Sequence, residues 1–367
     1  MSDAKRLTAP IAPGGRIGIL GGGQLGRMLA LAAARLGLKT HIYSNEDDAP
    51  AFQVATAHTR AAFDDKAALA EFAGTCDAIT FEFENIPEAA VTHLATLKPV
   101  NPSARALAPT QDRLAEKNLA AALGLGTAPF FAINSGDDAT EAFAKIGGSR
   151  GVMKTRRFGY DGKGQSKVAS AEDAAHAFLA FKSAPAILEG FVDFAFEASV
   201  IAARGRDGAF AAYDPPENLH EHHILRRSTV PGRLSANQID EAKSIARKIG
   251  DALDYVGVFC VELFVTKSGE LLANEIAPRV HNSGHWTLEA CLTSQFEQHI
   301  RAVAGWPLAP VTRHSDAVME NIIGEEAADW QTLAAKGGAL HLYGKSEIRP
   351  GRKMGHITWL KPSRGGH

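Results

Sequence analysis

Two glutamates on either side of a tight turn constrain the fold of this chain more than any other feature. Glu262 lies in the apolar segment FCVELFV, residues 267–269 (KSG) predict a turn, and Glu275 follows a second apolar segment. The pattern predicts an antiparallel hairpin in which the two carboxylates lie roughly opposite each other. Like charges in that position repel unless a cation lies between them, and Mg²⁺ prefers carboxylate and phosphate oxygens. Two exposed surface glutamates are the alternative.

The segment that follows the hairpin, NEIAPRVHNSGHW at residues 274–286, is dense in polar groups. It combines carboxylate, guanidinium, imidazole, amide and hydroxyl groups, which cannot form a hydrophobic core. This density favours a functional site over a pair of surface glutamates.

The composition predicts an ordinary soluble protein. A chain of 367 residues is long enough for two or three domains. The formal net charge of −2 lacks the basic excess that is typical of nucleic-acid-binding proteins. Three scattered cysteines indicate neither a disulfide framework nor a metal site. We find no apolar run of membrane-spanning length and no signal-peptide pattern, so we expect a reduced, cytoplasmic protein.

The N-terminal residues 16–43 predict a strand, a glycine turn, a helix and a second strand. The turn, GGGQLG at residues 21–26, matches the glycine spacing of dinucleotide-binding proteins, and acidic residues follow at 46–47. This match is weak when taken alone. NAD binding and a structural turn that binds nothing therefore both remain open.

A second glycine-rich stretch, GYDGKGQ at residues 159–165, follows a short predicted strand that contains Lys154. A flexible glycine loop beside a lysine can fold over phosphates with its backbone N–H groups. The loop is not a Walker A motif, because G-x-x-x-x-G-K-[ST] does not occur in the sequence. A surface loop is the alternative, but a lysine on an apolar strand needs a partner.

Charged residues also end one predicted strand and fill one predicted turn. Glu82 and Glu84 alternate at the end of DAITFEFE, so both project from one face where ligands of α/β sheets usually bind. Residues 349–356 (RPGRKMGH) form a basic turn that suits a phosphate, or a solvated turn. Arg113 and Lys117, four residues apart on a predicted helix, indicate a solvated basic face.

Taken together, these motifs resemble the ATP-grasp superfamily and, within it, the N5-carboxyaminoimidazole ribonucleotide synthetase family. The resemblance spans residues 16–359 and rests on GILGGGQLGRMLA, FEFENIP, GYDGKGQ, NEIAPRVHNSGHWT and RPGRKMGH in that order. It implies an α/β (α+β) ATP-grasp fold with an N-terminal Rossmann-like domain and a small C-terminal β-rich domain. The expected divisions are a flexible tail at residues 1–15, an N-terminal domain at 16–108, ATP-grasp domains at 109–300 with a lid at about 126–190, and a C-terminal domain at 301–367.

The resemblance also implies an activity. It implies a ligase of purine biosynthesis that uses ATP and bicarbonate, through carboxyphosphate, to carboxylate 5-aminoimidazole ribonucleotide. The implied cofactors are ATP and Mg²⁺, and the implied assembly is a homodimer without nucleic-acid or membrane partners. A formate-dependent ribonucleotide transformylase of the same superfamily is the alternative, followed by a nicotinamide-dependent oxidoreductase. A biotin-dependent carboxylase and a non-catalytic nucleotide-binding module fit the motifs less well.

The same resemblance assigns roles to individual residues. The implied catalytic residues are Arg279, His281, Asn282, Tyr160 and Asp161. ATP would contact Arg113, Lys154, Gly159, Tyr160, Asp161, Gly162, Lys163, Gly164, Gln165, Glu189, Gly190, Phe191, Val192, Glu197, His220, Asn274 and Glu275. The ribonucleotide and bicarbonate pockets would include Gln24, Leu25, Glu82, Glu84, Ser283, Arg352 and Lys353. Mg²⁺ would be bound by Glu262 and Glu275.

Overall fold

The N-terminal part of the chain forms a parallel sheet with helices packed against it. The computed structural model describes residues 4–147, 149–159 and 162–362. The first elements are β1 (Arg16–Leu20), α1 (Gln24–Arg35), β2 (Lys39–Ser44), β3 (Ala57–Arg60), α2 (Lys66–Gly74), β4 (Ala78–Phe81), α3 (Glu88–Leu97) and α4 (Ala104–Thr110). The strands pair in parallel in the order β3-β2-β1-β4. Because parallel strands end at the same edge, the glycine turn after β1 and Glu82 after β4 come together there.

A second sheet, also four-stranded, is antiparallel and carries the second glycine-rich stretch. We call it the smaller sheet, because the third sheet of the protein has nine strands. The elements of the smaller sheet are α5 (Arg113–Ala122), which precedes it, and β5 (Phe130–Ile133), α6 (Gly136–Lys145), β6 (Gly151–Thr155), β7 (Gln165–Val168), α7 (Ala171–Ala180) and β8 (Ala186–Gly190). The strand order is β5-β8-β6-β7. Phe143 of α6 and Phe178 of α7 pack with Met153 and Leu188 in its core. The glycine loop therefore connects two paired strands, β6 and β7.

The remaining strands form one nine-stranded sheet. Its elements and the helices among them are β9 (Phe194–Arg204), β10 (Phe210–Ala212), β11 (Glu217–Glu221), β12 (Ile224–Val230), α8 (Ala236–Ala252), β13 (Gly257–Thr266), β14 (Leu271–Ala277), α9 (Thr287–Ala290), α10 (Gln295–Val303), β15 (Ser315–Ile323), α11 (Trp330–Ala335), β16 (Ala339–Leu342) and β17 (Lys353–Pro362). The order is β14-β13-β9-β11-β12-β15-β17-β16, with β10 paired to β9. The C-terminal strands thus continue the sheet that contains the hairpin.

The predicted hairpin around the two glutamates is confirmed. In the antiparallel ladder of β13 and β14, Glu262 is the register partner of Glu275. The register shifts directly after Glu262, and β14 is the edge strand of the sheet. The apolar residues of β13 are buried, and its other edge pairs with β9. The two carboxylates are therefore fixed by a strand inside the sheet and a strand at its edge.

The prediction of a flexible N-terminal tail is wrong for the described residues 4–15. Ile11 is buried, its N–H donates to the carbonyl of Ala304 at 2.9 Å, and its carbonyl accepts from Nε1 of Trp306 at 2.7 Å. The N–H of Lys5 also donates to the carbonyl of Ala95 at 2.9 Å. Composition alone misses this packing, because Trp306, the hydrogen-bond donor to Ile11, lies 295 residues further along the chain.

Cys76, Cys260 and Cys291 are buried and form no disulfide. Within the described ranges, no helix has the length and apolar character needed to cross a bilayer.

Candidate active site

One cavity of about 1520 Å³ is lined by residues of all three sheets and of the loops that follow them. From the N-terminal sheet, the predicted residues at its wall are Gln24, Leu25, Glu82 and Glu84. From the smaller sheet and the adjoining α5 they are Arg113, Lys154, Gly162, Lys163, Gly164, Gln165, Glu189, Gly190, Phe191 and Val192. From the large sheet they are Glu197, His220, Glu262, Asn274, Glu275, Arg279, His281, Asn282, Arg352 and Lys353. Tyr160 and Asp161 lie outside the described residues.

Each of the two facing glutamates has its own cationic or hydrogen-bonding partner. Glu275 lies 3.0 Å from Nη1 of Arg113, and Glu262 lies 3.1 Å from Nε2 of His281. Burial raises the pKa of Glu262, but the hydrogen bond from His281 and the nearby cationic side chains, among them Lys353, together outweigh burial and lower this pKa to about 2. Glu262 is therefore held in its ionised form at the cavity wall, and Glu275 is paired there with Arg113.

A third oxygen ligand stands beside this pair. Oδ1 of Asn274 is buried and accepts no hydrogen bond from the part of the chain that the structure describes. Carboxylate and amide oxygens are the ligands that Mg²⁺ prefers, so Asn274, Glu262 and Glu275 suit this ion. Among the described residues, no group of three or more His, Cys, Asp or Glu side chains could hold a metal by itself. An ion here would need further oxygens, such as those of a phosphate.

Side chains of helix α5 form hydrogen bonds with the backbone of β14, the edge strand that carries Glu275. Nζ of Lys117 donates to the carbonyl of Ala273 at 3.2 Å, and the carboxylate of Glu116 accepts the N–H of Ile276. The prediction of a solvated basic face is therefore wrong for Lys117, which is 2% exposed. The physical reason is the unpaired edge of β14, whose backbone groups need hydrogen-bond partners that no further strand supplies.

Lys154, on the apolar strand β6, has an anionic partner, as the sequence predicted. Nζ of Lys154 lies 2.9 Å from Glu189, which is also 3.8 Å from Lys117. Burial raises the pKa of Glu189, but these two lysines outweigh burial and lower it below its ordinary value. The ion cluster holds Lys154 at the cavity wall.

The glycine loop lies beside this cluster. Gly162 and Gly164 adopt φ values of +80° and +69°, a region that favours glycine. Gly159, predicted to contact ATP, does not line the cavity, because its carbonyl faces Arg113 and accepts from Nη2 at 3.2 Å. The loop thus brings its later residues, and not Gly159, to the cavity.

The N-terminal glycine turn is filled by a side chain of the protein itself. The two carboxylate oxygens of Glu82 accept the N–H groups of Gly23 and Gly26. A Cβ atom at Gly23 would lie 2.8 Å from this carboxylate, so a larger residue there would displace Glu82 from the turn. The position at which a dinucleotide pyrophosphate meets a helix N-terminus is therefore occupied by Glu82. Burial raises the pKa of Glu82 above its ordinary value.

Glu84 has a different partner from Glu82, although both line the cavity. It forms an ion pair with Arg279. Burial raises the pKa of Glu84, but Arg279 outweighs burial and lowers it to about 2. Strand β4 ends at Phe81, before either glutamate, and the chain can therefore direct the two side chains to separate partners.

His281 is fixed through both its backbone and its ring. The side-chain amide of Gln295 accepts the N–H of His281 at 2.9 Å and donates to its carbonyl at 2.7 Å. Nδ1 of the ring lies 2.9 Å from Oγ of Ser283. The prediction that Ser283 lines the substrate pocket is wrong, because the short 3₁₀ turn Asn282–Gly284 buries this side chain behind His281.

Asn282, which does line the cavity, is held by a residue of the C-terminal strands. Its side-chain amide donates to Oδ1 of Asn321 at 2.9 Å and accepts from Nδ2 of Asn321 at 2.7 Å. Asn321 was not predicted as a site residue, because a lone asparagine in a predicted strand carries no pattern.

A cationic end of the cavity is formed by the C-terminal segment. The predicted residues Arg352 and Lys353 are joined there by Lys345 and Arg349. Nζ of Lys345 donates to the carbonyl of Lys353 at 2.6 Å. Burial, together with Arg352, lowers the pKa of Lys345 to about 8. Lys345 was not predicted as a site residue, and its proximity to the basic turn is the one signal for it in the sequence.

His220 and Glu197 form a pair on neighbouring strands of the large sheet. Nδ1 of His220 on β11 lies 2.6 Å from Oε2 of Glu197 on β9. Burial lowers the pKa of His220, but the hydrogen bond that His220 donates to Glu197, together with the negative charges of Glu197 and Glu262, outweighs burial and raises this pKa above its ordinary value. Both residues line the cavity.

Comparison with known proteins identifies the class and then the family. Residues 118–296 match the ATP-grasp domain, residues 15–111 the ribonucleotide synthetase preATP-grasp domain, and residues 317–365 the phosphoribosylaminoimidazole carboxylase C-terminal domain. Fold and site together define an ATP-grasp enzyme, as predicted. An N5-carboxyaminoimidazole ribonucleotide synthase of Brucella melitensis is 53% identical over 355 residues, covering 96% of this chain and 98% of the relative. The chain belongs to the N5-carboxyaminoimidazole ribonucleotide synthase family.

Solved structures agree with this assignment. An ADP complex of an N5-carboxyaminoimidazole ribonucleotide synthetase has a TM-score of 0.92 and 40% identity, covering 97% of this chain and 94% of that one. The Aspergillus clavatus synthase in complex with ADP and 5-aminoimidazole ribonucleotide has a TM-score of 0.89 and 30% identity, with 96% and 95% covered. The predicted fold class is confirmed.

Proposed function

We propose that this protein uses ATP and bicarbonate to carboxylate 5-aminoimidazole ribonucleotide, giving N5-carboxyaminoimidazole ribonucleotide, ADP and phosphate. Family membership supports this activity. The observation that carries it is the single cavity shared by the glycine loop, the glutamate hairpin and the cationic C-terminal segment. A nucleotide and a second, phosphate-bearing substrate can meet there without leaving the protein.

The nucleotide side of the cavity is built from α5, the smaller sheet and the hairpin. Lys154, Arg113 and the loop N–H groups of residues 162–165 bind the phosphates, and residues 189–192 line the adjoining wall. Phosphoryl transfer requires positioning and charge neutralisation more than covalent chemistry by the protein. Cations that are already held by buried partners supply this without reorganisation.

Glu262, Glu275 and Asn274 would bind Mg²⁺. The facing carboxylates support this assignment, as does Oδ1 of Asn274, which is buried and has no hydrogen-bond partner among the described residues. When bound, the ion neutralises phosphate oxygens of ATP during transfer. The protein holds the two carboxylates on paired strands, so their separation is set by the sheet.

The reaction consists of the phosphorylation of bicarbonate followed by the transfer of its carbon, as CO₂, to the amine of the ribonucleotide. An oxygen of bicarbonate attacks the γ-phosphorus and ADP leaves, which gives carboxyphosphate. Carboxyphosphate then breaks at the bond between its carbon and the oxygen that bridges to phosphorus, which gives CO₂ and phosphate. The exocyclic amine of the ribonucleotide finally bonds to the carbon of CO₂ and loses a proton. Arg279, His281 and Asn282 bind the carboxyl oxygens, and the glycine loop excludes water from the labile intermediate.

The ribonucleotide side lies between the N-terminal turn and the C-terminal segment. Arg352 and Lys353, joined by Lys345, bind the 5′-phosphate, because guanidinium and ammonium groups form strong charge-assisted hydrogen bonds with phosphate oxygens. Gln24, Leu25, Glu82 and Glu84 line the wall on which the base and ribose rest. This assignment gives each substrate its own cationic site.

One assay tests the proposal directly. Phosphate release from ATP is measured with and without 5-aminoimidazole ribonucleotide and with and without bicarbonate. We expect full turnover only when all substrates are present. Turnover that requires formate and not bicarbonate would instead support the transformylase alternative.

The proposal also includes the compartment and the oligomeric state of the protein. We expect a cytoplasmic homodimer, by resemblance to the family. Light scattering coupled to size-exclusion chromatography measures the mass, and a monomer at micromolar concentration would contradict the dimer.

A further inference from the structure

A chain of buried hydrogen bonds runs through the large sheet and ends on the ring of His281. Oγ of Ser228 donates to Oδ1 of Asn218 at 2.8 Å, and Nδ2 of Asn218 donates to Oγ of Ser199 at 2.9 Å. Oγ of Ser199 lies 2.7 Å from Oγ of Ser283, which lies 2.9 Å from Nδ1 of His281. We call Ser228, Asn218, Ser199 and Ser283 the polar chain.

The polar chain is out of reach of any substrate. Ser199, Ser228 and Ser283 are 0% exposed and Asn218 is 7% exposed, and none of these residues lines the cavity. Polar side chains at such positions cost stability unless each hydrogen bond is made. A fully apolar interior would serve the sheet equally well, so the polar chain calls for a role beyond packing.

The direction of the hydrogen bonds follows from one backbone group. The N–H of Ser283 points at Nδ1 of His281 at 3.3 Å, and a backbone amide can only donate. Nδ1 is therefore an acceptor, and the hydroxyl of Ser283 donates to it as well. Ser199 then donates to Ser283, in agreement with the amide of Asn218 donating to Ser199.

The other nitrogen of the ring faces the reaction site. Nε2 of His281 lies 3.1 Å from Oε1 of Glu262, and His281 lines the cavity. Because Nδ1 accepts, a neutral imidazole carries its hydrogen on Nε2. The hydrogen bond made by one ring nitrogen thus decides what the other nitrogen offers to the cavity.

We propose that Ser199, Asn218 and Ser228 are positioning residues that, through Ser283, hold His281 as the Nε2–H tautomer with its ring turned toward the cavity. His281 is then a hydrogen-bond donor to an anionic oxygen, and not the base that removes the proton of the amine. This consequence rests on the proposed function, since it names a carbonate or phosphate oxygen as the acceptor. The tautomer itself does not rest on it.

The tautomer is measured by nitrogen NMR on protein labelled with ¹⁵N-histidine, with His281 assigned by the signal lost in His281→Gln. We expect a protonated Nε2 and an unprotonated Nδ1 in the natural protein. In Ser199→Ala and Ser283→Ala the N–H of Ser283 still faces Nδ1, so we expect the Nδ1 resonance to shift because the hydroxyl of Ser283 is removed or no longer oriented. An Nδ1–H form in the natural protein, or unchanged spectra in both variants, would overturn the proposal.

Kinetics give a second, independent measurement. We expect Ser199→Ala to lower kcat about three- to tenfold, the loss of one net hydrogen bond in the transition state, with KM for ATP within about twofold. Thr358→Val is the matched control, because it removes a buried hydroxyl of the same sheet that has no partner among the described residues. Natural kcat in Ser199→Ala, or an equal loss in Thr358→Val, would count against positioning.

The two proposals fail in different ways. If the proposed function is wrong, the natural protein does not carboxylate, and the NMR spectrum still decides the tautomer. If the positioning proposal is wrong, the natural protein carboxylates while the spectrum or the variants contradict the expected pattern. The spectrum of the natural protein needs only the His281→Gln variant, which serves to assign the His281 signal.

Discussion

Glu262 and Glu275 lie directly opposite each other across the β13–β14 ladder, yet each carboxylate contacts a different partner. Arg113 lies 3.0 Å from Glu275, and His281 lies 3.1 Å from Glu262. These partners offset the repulsion between the two carboxylates. One wall of the cavity thus combines anionic groups with hydrogen-bond donors. In such a wall the carboxylates can bind a metal ion while the donors bind a phosphate.

The first prediction concerns this pair. Glu275→Gln should abolish ATP hydrolysis and leave the fold intact, because an amide keeps the shape of the side chain but is a poor ligand for Mg²⁺. Steady-state phosphate release at varied Mg²⁺ is the measurement, with circular dichroism for the fold. Glu270→Gln, an exposed glutamate of the same hairpin, is the control and should retain activity. Near-natural turnover in Glu275→Gln would reduce the pair to surface charge.

The second prediction separates the two substrates. A charge-assisted hydrogen bond to phosphate contributes roughly 1.5–3 kcal/mol, or about ten- to hundredfold in apparent affinity. Lys353→Ala should raise KM for 5-aminoimidazole ribonucleotide by this factor and leave KM for ATP nearly unchanged, whereas Lys154→Ala should do the reverse. Kinetics with each substrate varied in turn measure both constants. Lys361→Ala, an exposed lysine of the same strand β17, is the control. Equal damage to both KM values in Lys353→Ala would refute this division of the cavity.

The third prediction concerns pH. Burial lowers the pKa of Lys345 from 10.5 to about 8, so the side chain loses its charge as the pH rises through 8. KM for the ribonucleotide should therefore rise about fivefold between pH 8 and pH 9, in proportion to the lost ammonium fraction. Lys345→Arg stays charged throughout, and its KM should be flat over this range. A rise of the same size in both proteins would assign the effect to another group.

The fourth prediction concerns the grip of α5 on the edge strand. Lys117→Met removes the donor to the carbonyl of Ala273 and one of the two cations beside Glu189. We expect unfolding free energy to fall by about 2 kcal/mol, the size of a lost hydrogen bond to a charged group. Chemical denaturation measures it, with Lys248→Met on the exposed face of α8 as the control, expected within about 0.5 kcal/mol. Equal stability of the two variants would show that the contact is incidental.

The fifth prediction concerns the glycine turn. Glu82 already accepts the N–H groups of Gly23 and Gly26, so the turn has no free donors for a pyrophosphate at these positions. Calorimetric titration with NAD and NADP should give no binding, while ADP should bind the same preparation. Micromolar affinity for either dinucleotide would revive the oxidoreductase alternative.

Short-range sequence patterns were sufficient to predict the elements whose structure depends mainly on neighbouring residues. Alternating apolar residues around a Lys-Ser-Gly turn predicted the hairpin and the facing of Glu262 and Glu275, because register follows from pairing and turn position. The glycine turn after β1 and the need of Lys154 for a partner were predictable on the same local grounds. In each case the physical cause lies within a few residues of the feature, or in a general rule about buried charge.

Contacts between distant segments decided the rest. Ser283 is buried because its hydroxyl meets Ser199, Lys117 because the edge of β14 offers it a carbonyl, and Ile11 because Ala304 accepts its N–H. Lys345 reaches the cavity only because the C-terminal strands join the large sheet. Whether a polar side chain faces substrate, solvent or another side chain depends on partners far along the chain, and those partners meet only when the sheets assemble.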